Sequence, residues 1–171
     1  MSAASPRLYG LAPVLPAKAR LLILGSMPGA QSLSEQQYYA HPRNAFWPIM
    51  AKLLHFDPQL PYTERLLRLQ QHGVALWDVL QSCQRQGSLD TAIRAEQPNN
   101  FQQLIQQQSQ LKLIAFNGAK AWQSFRKSVL PQLFTENSPK FITLPSTSPA
   151  HAAKRFSEKF EHWQTLGEYL R

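Results

Sequence analysis

LILGSMPGAQSLSEQQYYAHPRNAFW, residues 22–47, decides how this chain is read. A short apolar run ends in Gly-Ser-Met-Pro-Gly, and a polar stretch then leads to Tyr39, His41, Arg43 and Asn44. The run Leu21–Gly25 is near-continuous in its apolarity, as expected of a strand covered on both faces. Three further segments have the same character: Val74–Leu80, led in by Gly73, then Leu111–Asn117 and Phe141–Leu144. Helical patterns lie between them. Ser32 and Glu35 are spaced as a capping box. Asn44 is placed to cap a helix carrying Phe46, Trp47, Met50 and Leu54. Leu66 and Leu69 mark another helix, stopped near Gly73. Phe101, Leu104, Ile105 and Leu111 share one helical face, so the glutamine-rich stretch is read as a surface helix. Gly118 opens a helix bearing Trp122 and Phe125, and the last helix carries Phe156, Phe160, Trp163 and Leu170.

Strands that alternate with helices predict an α/β fold with an open parallel sheet. In such sheets the ligand sits outside the carboxyl ends of the strands. That rule selects Gly25–Gly29, Asp78–Cys83, Asn117–Gly118 and Pro145–His151.

Composition sets the frame. The 171 residues suit a single domain, 1–171, with a substantial core. A hydrophobic share of 43% is far from disorder. One cysteine, Cys83, excludes an internal disulfide and a multi-cysteine metal cluster. The start of the chain lacks the continuous apolar core of a signal peptide, and Leu21–Leu24 is too short to span a bilayer, so a cytoplasmic protein with no membrane partner is expected. A formal charge of +8 suits a polyanionic partner, although solubility alone also explains it.

The loops carry the chemistry. GSMPG lacks both the lysine of a GxxxxGK[ST] phosphate loop and the spacing of GxGxxG. Two glycines around a proline make a tight turn that can present backbone N–H groups to a ligand; an ordinary strand-to-helix turn is the alternative. LPSTSPAHA, after the fourth strand, offers small hydroxyls and amides on a stiffened loop suited to phosphate, or simply a capped turn.

Together these loops resemble the uracil-DNA glycosylase superfamily. The GSMPG loop followed by YAHPRNAFW is similar to its mismatch-specific branch, and LPSTSPAH stands where that superfamily has an LPxPSxLS segment. GVALWDVLQSCQRQGSLD resembles the hypoxanthine-DNA (deoxyinosine) glycosylase branch. The resemblance covers the chain from about Leu21 to the last helix. It implies a three-layer α/β/α sandwich around a four-stranded parallel sheet. It also implies a base-flipping enzyme that cuts the N-glycosidic bond of deaminated bases in double-stranded DNA, with no metal and no other cofactor. A monomer is expected, associated with the nucleoid if the source is a prokaryote. Carried over residue by residue, Gly25, Ser26, Met27, Pro28 and Gly29 form the loop that holds water and the base carbonyl. Tyr39 takes the position of the aromatic that stacks on the flipped base. Ser146, Thr147, Ser148, Pro149, Ala150 and His151 form the loop that enters the minor groove. The chain departs from the pattern at Met27, where Asp or Asn is usual, at Ser146, where His or Asn is frequent, and at Ala150, where the wedge is often Leu.

Glycosidic hydrolysis passes through an oxocarbenium-like sugar, so a water must be held and charge on the leaving base accepted. Asn44 has a carbonyl to orient a water and an amide to donate, and is the first choice of catalytic residue; a helix cap is its alternative role. Asp78, ending the apolar run VALWD, is the rival. Hypoxanthine carries an N–H where adenine has a lone pair, so a buried carboxylate would accept from the first and reject the second. An ion pair between Asp78 and Arg85 is the plainer alternative. Asn117 joins the base-binding set, with capping of the next helix as its alternative. Arg43 faces phosphate or solvent. His41 is weighed slightly toward a structural turn. Lys120 shows no feature that would lower its pKa for a Schiff base, and Cys83 reads as a packed thiol. The leading expectation is a monofunctional glycosylase for hypoxanthine. The rivals are a uracil or mismatch-specific glycosylase and a catalytically weak binder of damaged DNA.

Overall fold

A computed structural model describes residues 5–133, 136 and 138–170. Four parallel strands form the central sheet: β2 (Leu21–Gly25), β3 (Val74–Asp78), β6 (Leu113–Asn117) and β7 (Lys140–Leu144). Their spatial order is β3-β2-β6-β7. Strand periodicity explains why both faces are dry. Leu22 and Leu24 point into one apolar cluster with Ala75, Ile114 and Phe116. Leu21 and Ile23 point into the other with Val74, Leu76 and Ala115. Helices α4 (Phe101–Gln107) and α5 (Ala119–Ser128) cover the first face through Phe101, Leu104, Ala121 and Phe125. Helices α2 (Phe46–Leu54), α3 (Tyr62–Gln71) and α6 (Phe156–Trp163) cover the second through Phe46, Met50, Leu69 and Trp163. This is the expected three-layer α/β/α sandwich.

The second apolar run differs from its expected bounds. The parallel strand stops at Asp78, and Leu80–Gln84 forms β4 in a separate antiparallel sheet with β1 (Arg7–Tyr9) and β5 (Arg94–Pro98). The turn between the sheets is held because Val79 N–H donates to the Gly25 carbonyl (2.8 Å) and Leu80 N–H to that of Ser26 (3.1 Å). β2 has its expected bounds, while β6 and β7 differ from expectation by two residues and one at their starts.

The Ser32–Glu35 capping box does not form. Helix α1 (Ala30–Glu35) starts directly after Gly29, which puts Ser32 inside it and buried. Ser32 Oγ instead accepts from Ala40 N–H at 3.0 Å, tying α1 to the segment that carries Tyr39. Asn44 does act at a helix start: its Oδ1 accepts from Phe46 N–H at 2.9 Å. Gly118 opens α5 as expected, with φ +97°. A methyl group there would stand 3.1 Å from Ser146 Cβ, so glycine also lets the loop after β7 approach the end of β6.

Candidate active site

The carboxyl ends of the four strands bring together loops far apart in sequence. In the parallel register Gly25 lies opposite Asp78. A Cβ on Gly25 would sit 2.5 Å from Asp78 Oδ1 and 3.5 Å from Tyr39 Oη. Gly25 is thus the floor on which a carboxyl and a phenol converge.

That convergence leaves polar atoms without partners. Tyr39 Oη, Asp78 Oδ2 and Arg85 Nη1 are buried and make no hydrogen bond. Such atoms are rare in folded proteins and costly unless something pairs with them. Burial pushes the Asp78 carboxyl up to about 7; the charge of Asp90 adds to the rise and Arg85 opposes it. The Tyr39 hydroxyl is also held well above its ordinary value, by burial first and then by Asp78, while the Asn117 amide acts in the opposite sense without reaching hydrogen-bond geometry. The Asp78–Arg85 ion pair is absent: among the described residues the one close pair is Lys120 with Glu96, at 3.1 Å. That pairing engages the Lys120 amine. Cys83 is buried and its thiol is raised by burial, as a packed thiol should be.

Within Gly25–Gly29 the side chains turn inward. Met27 packs in the apolar core, so its side chain is withdrawn from any base, contrary to its expected place in the base-binding set. Ser26 is buried and its hydroxyl donates to Asp90 Oδ1 at 2.6 Å. Gly25–Pro28 are buried, and the Gly25, Ser26 and Pro28 carbonyls accept from Val79 N–H, Leu80 N–H and Arg85 Nη2.

A second loop braces the first, and the residues that do so were not recognised in the sequence. Arg85, 3% exposed, donates from Nη2 to the Pro28 carbonyl (2.6 Å) and from Nε to the Gly87 carbonyl (2.8 Å). Ser88 Oγ accepts from Ala30 N–H at 2.9 Å. With Asp90 on Ser26, these contacts make QRQGSLD a clamp on GSMPG. The available signal was the glycine-centred polar run QRQGSLD itself.

Tyr39 has φ +55°, a left-handed backbone that is uncommon for a bulky residue. One face of its ring stacks on Phe46, with centroids 4.0 Å apart. The ring keeps some exposure although its hydroxyl is buried. Beside it, His41 accepts at Nδ1 from Arg43 N–H (3.0 Å), and its carbonyl accepts from Asn44 N–H (2.9 Å). These bonds brace the turn around His41. Arg43 is exposed. A surface depression of about 330 Å³ is lined by Tyr39, His41 and Asn44, with Arg65 on its far side. It stops short of Asp78 and Asn117, which lie beneath the surface.

Asn117 and Thr147 require correction. Asn117 Nδ2 donates to Thr147 Oγ1 and its Oδ1 accepts from Thr147 N–H, both at 2.9 Å. Thr147 is 1% exposed, and its carbonyl accepts from Ala45 N–H at 2.9 Å. Asn117 thus anchors a loop where a base contact was expected, and the Thr147 side chain is buried inside the protein. The rest of that loop is also internally braced. Ser146 Oγ accepts from Ser148 N–H, and Ser148 Oγ accepts from Ala150 N–H, each at 3.2 Å. Ala150 and His151 remain exposed, while Ser146, Ser148 and Pro149 are half-buried.

Among the described residues no group of three or more His, Cys, Asp or Glu side chains is placed to hold a metal ion, and no helix is long and apolar enough to cross a membrane.

A model of the uracil DNA glycosylase superfamily matches residues 12–171. A hypoxanthine DNA glycosylase of Methanosarcina acetivorans is 35% identical over 159 residues, which is 92% of this chain and 96% of that protein. A hypoxanthine DNA glycosylase of Methanosarcina barkeri is 40% identical over 113 residues, 66% of this chain and 72% of that one. A solution NMR structure from Methanosarcina acetivorans, provisionally assigned as a uracil DNA glycosylase, superposes with a TM-score of 0.77 at 32% identity, covering 94% of this chain and 99% of its own.

Proposed function

The chain belongs to the uracil DNA glycosylase superfamily, and from that premise we propose that it is a monofunctional DNA glycosylase that removes hypoxanthine from double-stranded DNA. The observation that carries the rejection of adenine is the buried, unpaired Oδ2 of Asp78 at the carboxyl edge of the sheet. That oxygen serves the N–H of hypoxanthine and of uracil alike; hypoxanthine is chosen because the similar proteins are hypoxanthine DNA glycosylases. As a carboxylate Asp78 accepts the N1–H of hypoxanthine. Adenine turns a lone pair to the same place and leaves two acceptors facing each other. A backbone N–H of Gly25–Gly29 meets the base carbonyl, and the exposed side of Tyr39 stacks on the ring. Asp78 and the Tyr39 hydroxyl are covered in the free protein, so entry of the base requires the Tyr39 segment to shift.

In the chemical step the bond from C1′ to the base nitrogen breaks, and its electron pair leaves with the base. The water oxygen bonds to C1′, and a water proton ends on the departing base. Asn44 is the residue assigned to that water. Its Oδ1 already accepts from Phe46 N–H, which leaves a second lone pair and the Nδ2 amide for the task. Positioning of this kind does not need a strong base. Arg43 and the exposed tip Ala150–His151 meet the DNA backbone. The product is an abasic site for base excision repair, and the protein acts as a monomer in the cytoplasm, with the nucleoid in a prokaryote.

The test is incubation with an inosine-containing duplex in chelator, followed by alkali to cleave abasic sites. Strand cleavage is expected. An intact strand at excess enzyme overturns the reading. Parallel duplexes with deoxyuridine and deoxyxanthosine decide the base preference.

A further inference from the structure

Flipping a base leaves a gap in the stack, and proteins that open the duplex commonly fill such gaps with an apolar wedge. On the loop after β7 the exposed tip offers only the methyl of Ala150 and the polar ring of His151, followed by the exposed Ala152 and Ala153. We propose that the wedge is Leu89, supplied by the clamp on the GSMPG loop; this rests on the glycosylase reading above.

Leu89 is 55% exposed, one of four large apolar side chains so placed among the described residues. Leu67 and Phe156 stand elsewhere, and Tyr9 neighbours Gly10 beside Pro28 but has, among the described residues, no hydrogen-bonded tie to the base-holding loop on either side of it. Tyr9 lies on the edge strand β1 and Leu67 on α3, while Phe156 leans on Phe160 with its ring nearly parallel. Leu89 is distinguished by its neighbours. Ser88 and Asp90 both turn to the base-holding loop, accepting from Ala30 N–H and from the Ser26 hydroxyl. The backbone at Leu89 is extended, with φ −76° and ψ 134°. Both neighbours are held inward by these bonds, while Leu89 itself is left open to solvent.

A wedge must also resist being pushed back. The Leu89 loop is fastened by Arg85, whose guanidinium bridges the Gly87 and Pro28 carbonyls, so Leu89 and the GSMPG loop form one body. The sheet order explains the geometry. GSMPG follows β2, an interior strand, and the LPSTSPAH loop follows β7, at the edge. The loop that Leu89 braces and the loop of Ala150–His151 therefore leave strands separated by β6. DNA seated there is held through its backbone at one loop and unstacked at the other.

A wedge is needed only where the target base is stacked and paired. Single-turnover excision is measured on hypoxanthine paired with cytosine in a duplex, and on hypoxanthine in a short unpaired bubble of the same duplex. Leu89→Ala should slow the paired substrate by about tenfold or more and leave the bubble within about twofold of wild type. Leu89→Met should keep most of the paired-substrate rate. Equal rates for Leu89→Ala and wild type on the paired duplex overturn the proposal, and so does an equal loss on both substrates. If the wild type cuts neither substrate, the glycosylase reading itself fails and Leu89 falls with it.

Discussion

Gly25 and Asp78 stand so close that a single methyl group on Gly25 would lie 2.5 Å from the carboxyl oxygen Oδ1 of Asp78. The two residues are partners in the parallel register of β2 and β3, so the backbones stay side by side and relief of the clash falls on the buried Asp78 side chain. Gly25→Ala is expected to destabilise the fold by about 1–3 kcal/mol, the usual cost of overpacking a filled interior, and to abolish excision. Adding Asp78→Gly should recover most of the melting temperature and none of the activity. Additive losses in the double variant would show that the clash is not where the strain arises.

The pH dependence of stability follows from Asp78. Its carboxyl is pushed up to about 7 by burial, so between the ordinary carboxylate range and that value the folded protein holds a proton that the unfolded chain has released. The contribution of the group is complete in acid and lost as pH rises through about 7. Asp78→Asn cannot ionise and should escape that loss. Thermal melts at pH 8 should favour the variant by on the order of a few kcal/mol, and the gap should close near pH 4. Excision should behave oppositely. The wild-type rate should climb from pH 6 to pH 8 as the carboxylate forms, while the variant stays slow throughout. A variant that melts with the wild type at both pH values would remove Asp78 as the buried acid.

Asn44 separates into two functions by atom. Its Oδ1 accepts from Phe46 N–H at the start of α2, one residue before the N-cap Ala45. Asn44→Asp keeps that oxygen and lacks the amide; Asn44→Ala lacks both. The alanine variant should lose about 1 kcal/mol of stability, the usual worth of a cap, and the aspartate variant much less. Both should be severely slowed in single-turnover excision with affinity for the damaged duplex nearly intact, as for an interaction made chiefly in the transition state. A folded Asn44→Ala that cuts at the wild-type rate would hand the water to another residue.

Tyr39 presents a ring to Phe46 and a buried hydroxyl to no partner. Tyr39→Phe should gain about 1 kcal/mol of stability by removing an unsatisfied polar atom. Its binding to an inosine duplex should change little. Tyr39→Ala should weaken that binding by about 1–3 kcal/mol, the scale of base–aromatic stacking. Equal weakening in both variants, measured by titration of a fluorescent duplex, would move the role from the ring to the hydroxyl.

The parts of the fold that announced themselves are those whose physics is local. Leu21–Gly25 is apolar at every position because both its faces are covered, and the sheet follows from such runs. The antiparallel sheet stayed hidden because RLY, LQSCQ and RAEQP alternate polar residues with few apolar ones, and their pairing is made by segments up to 77 residues apart in the chain, as between Arg7 and Gln84. At the site, Gly25 and Asp78 were picked out because strand ends gather ligands. The true partners of Asn117 and Thr147 were not. An amide that could meet a base or brace a loop has the same letter in either role, and only the approach of β7 to β6 decides. Arg85, Ser88 and Asp90 share that difficulty, since their acceptors and donors lie some sixty positions earlier: Pro28, Ala30 and Ser26.

Thr147 receives Asn117 on its side chain and Ala45 on its carbonyl, so the loop after β7 and the turn before α2 are built against the same residue. This fixes more than shape. An insertion between Leu144 and Thr147 would shift Thr147 and with it Ala45, the neighbour of Asn44. A deletion before Ala45 would pull on the loop from the other side. The outer tip, Ala150–His151, is exposed and lies beyond this tie, so its length is free to change while the stretch from Leu144 to Thr147 keeps its count.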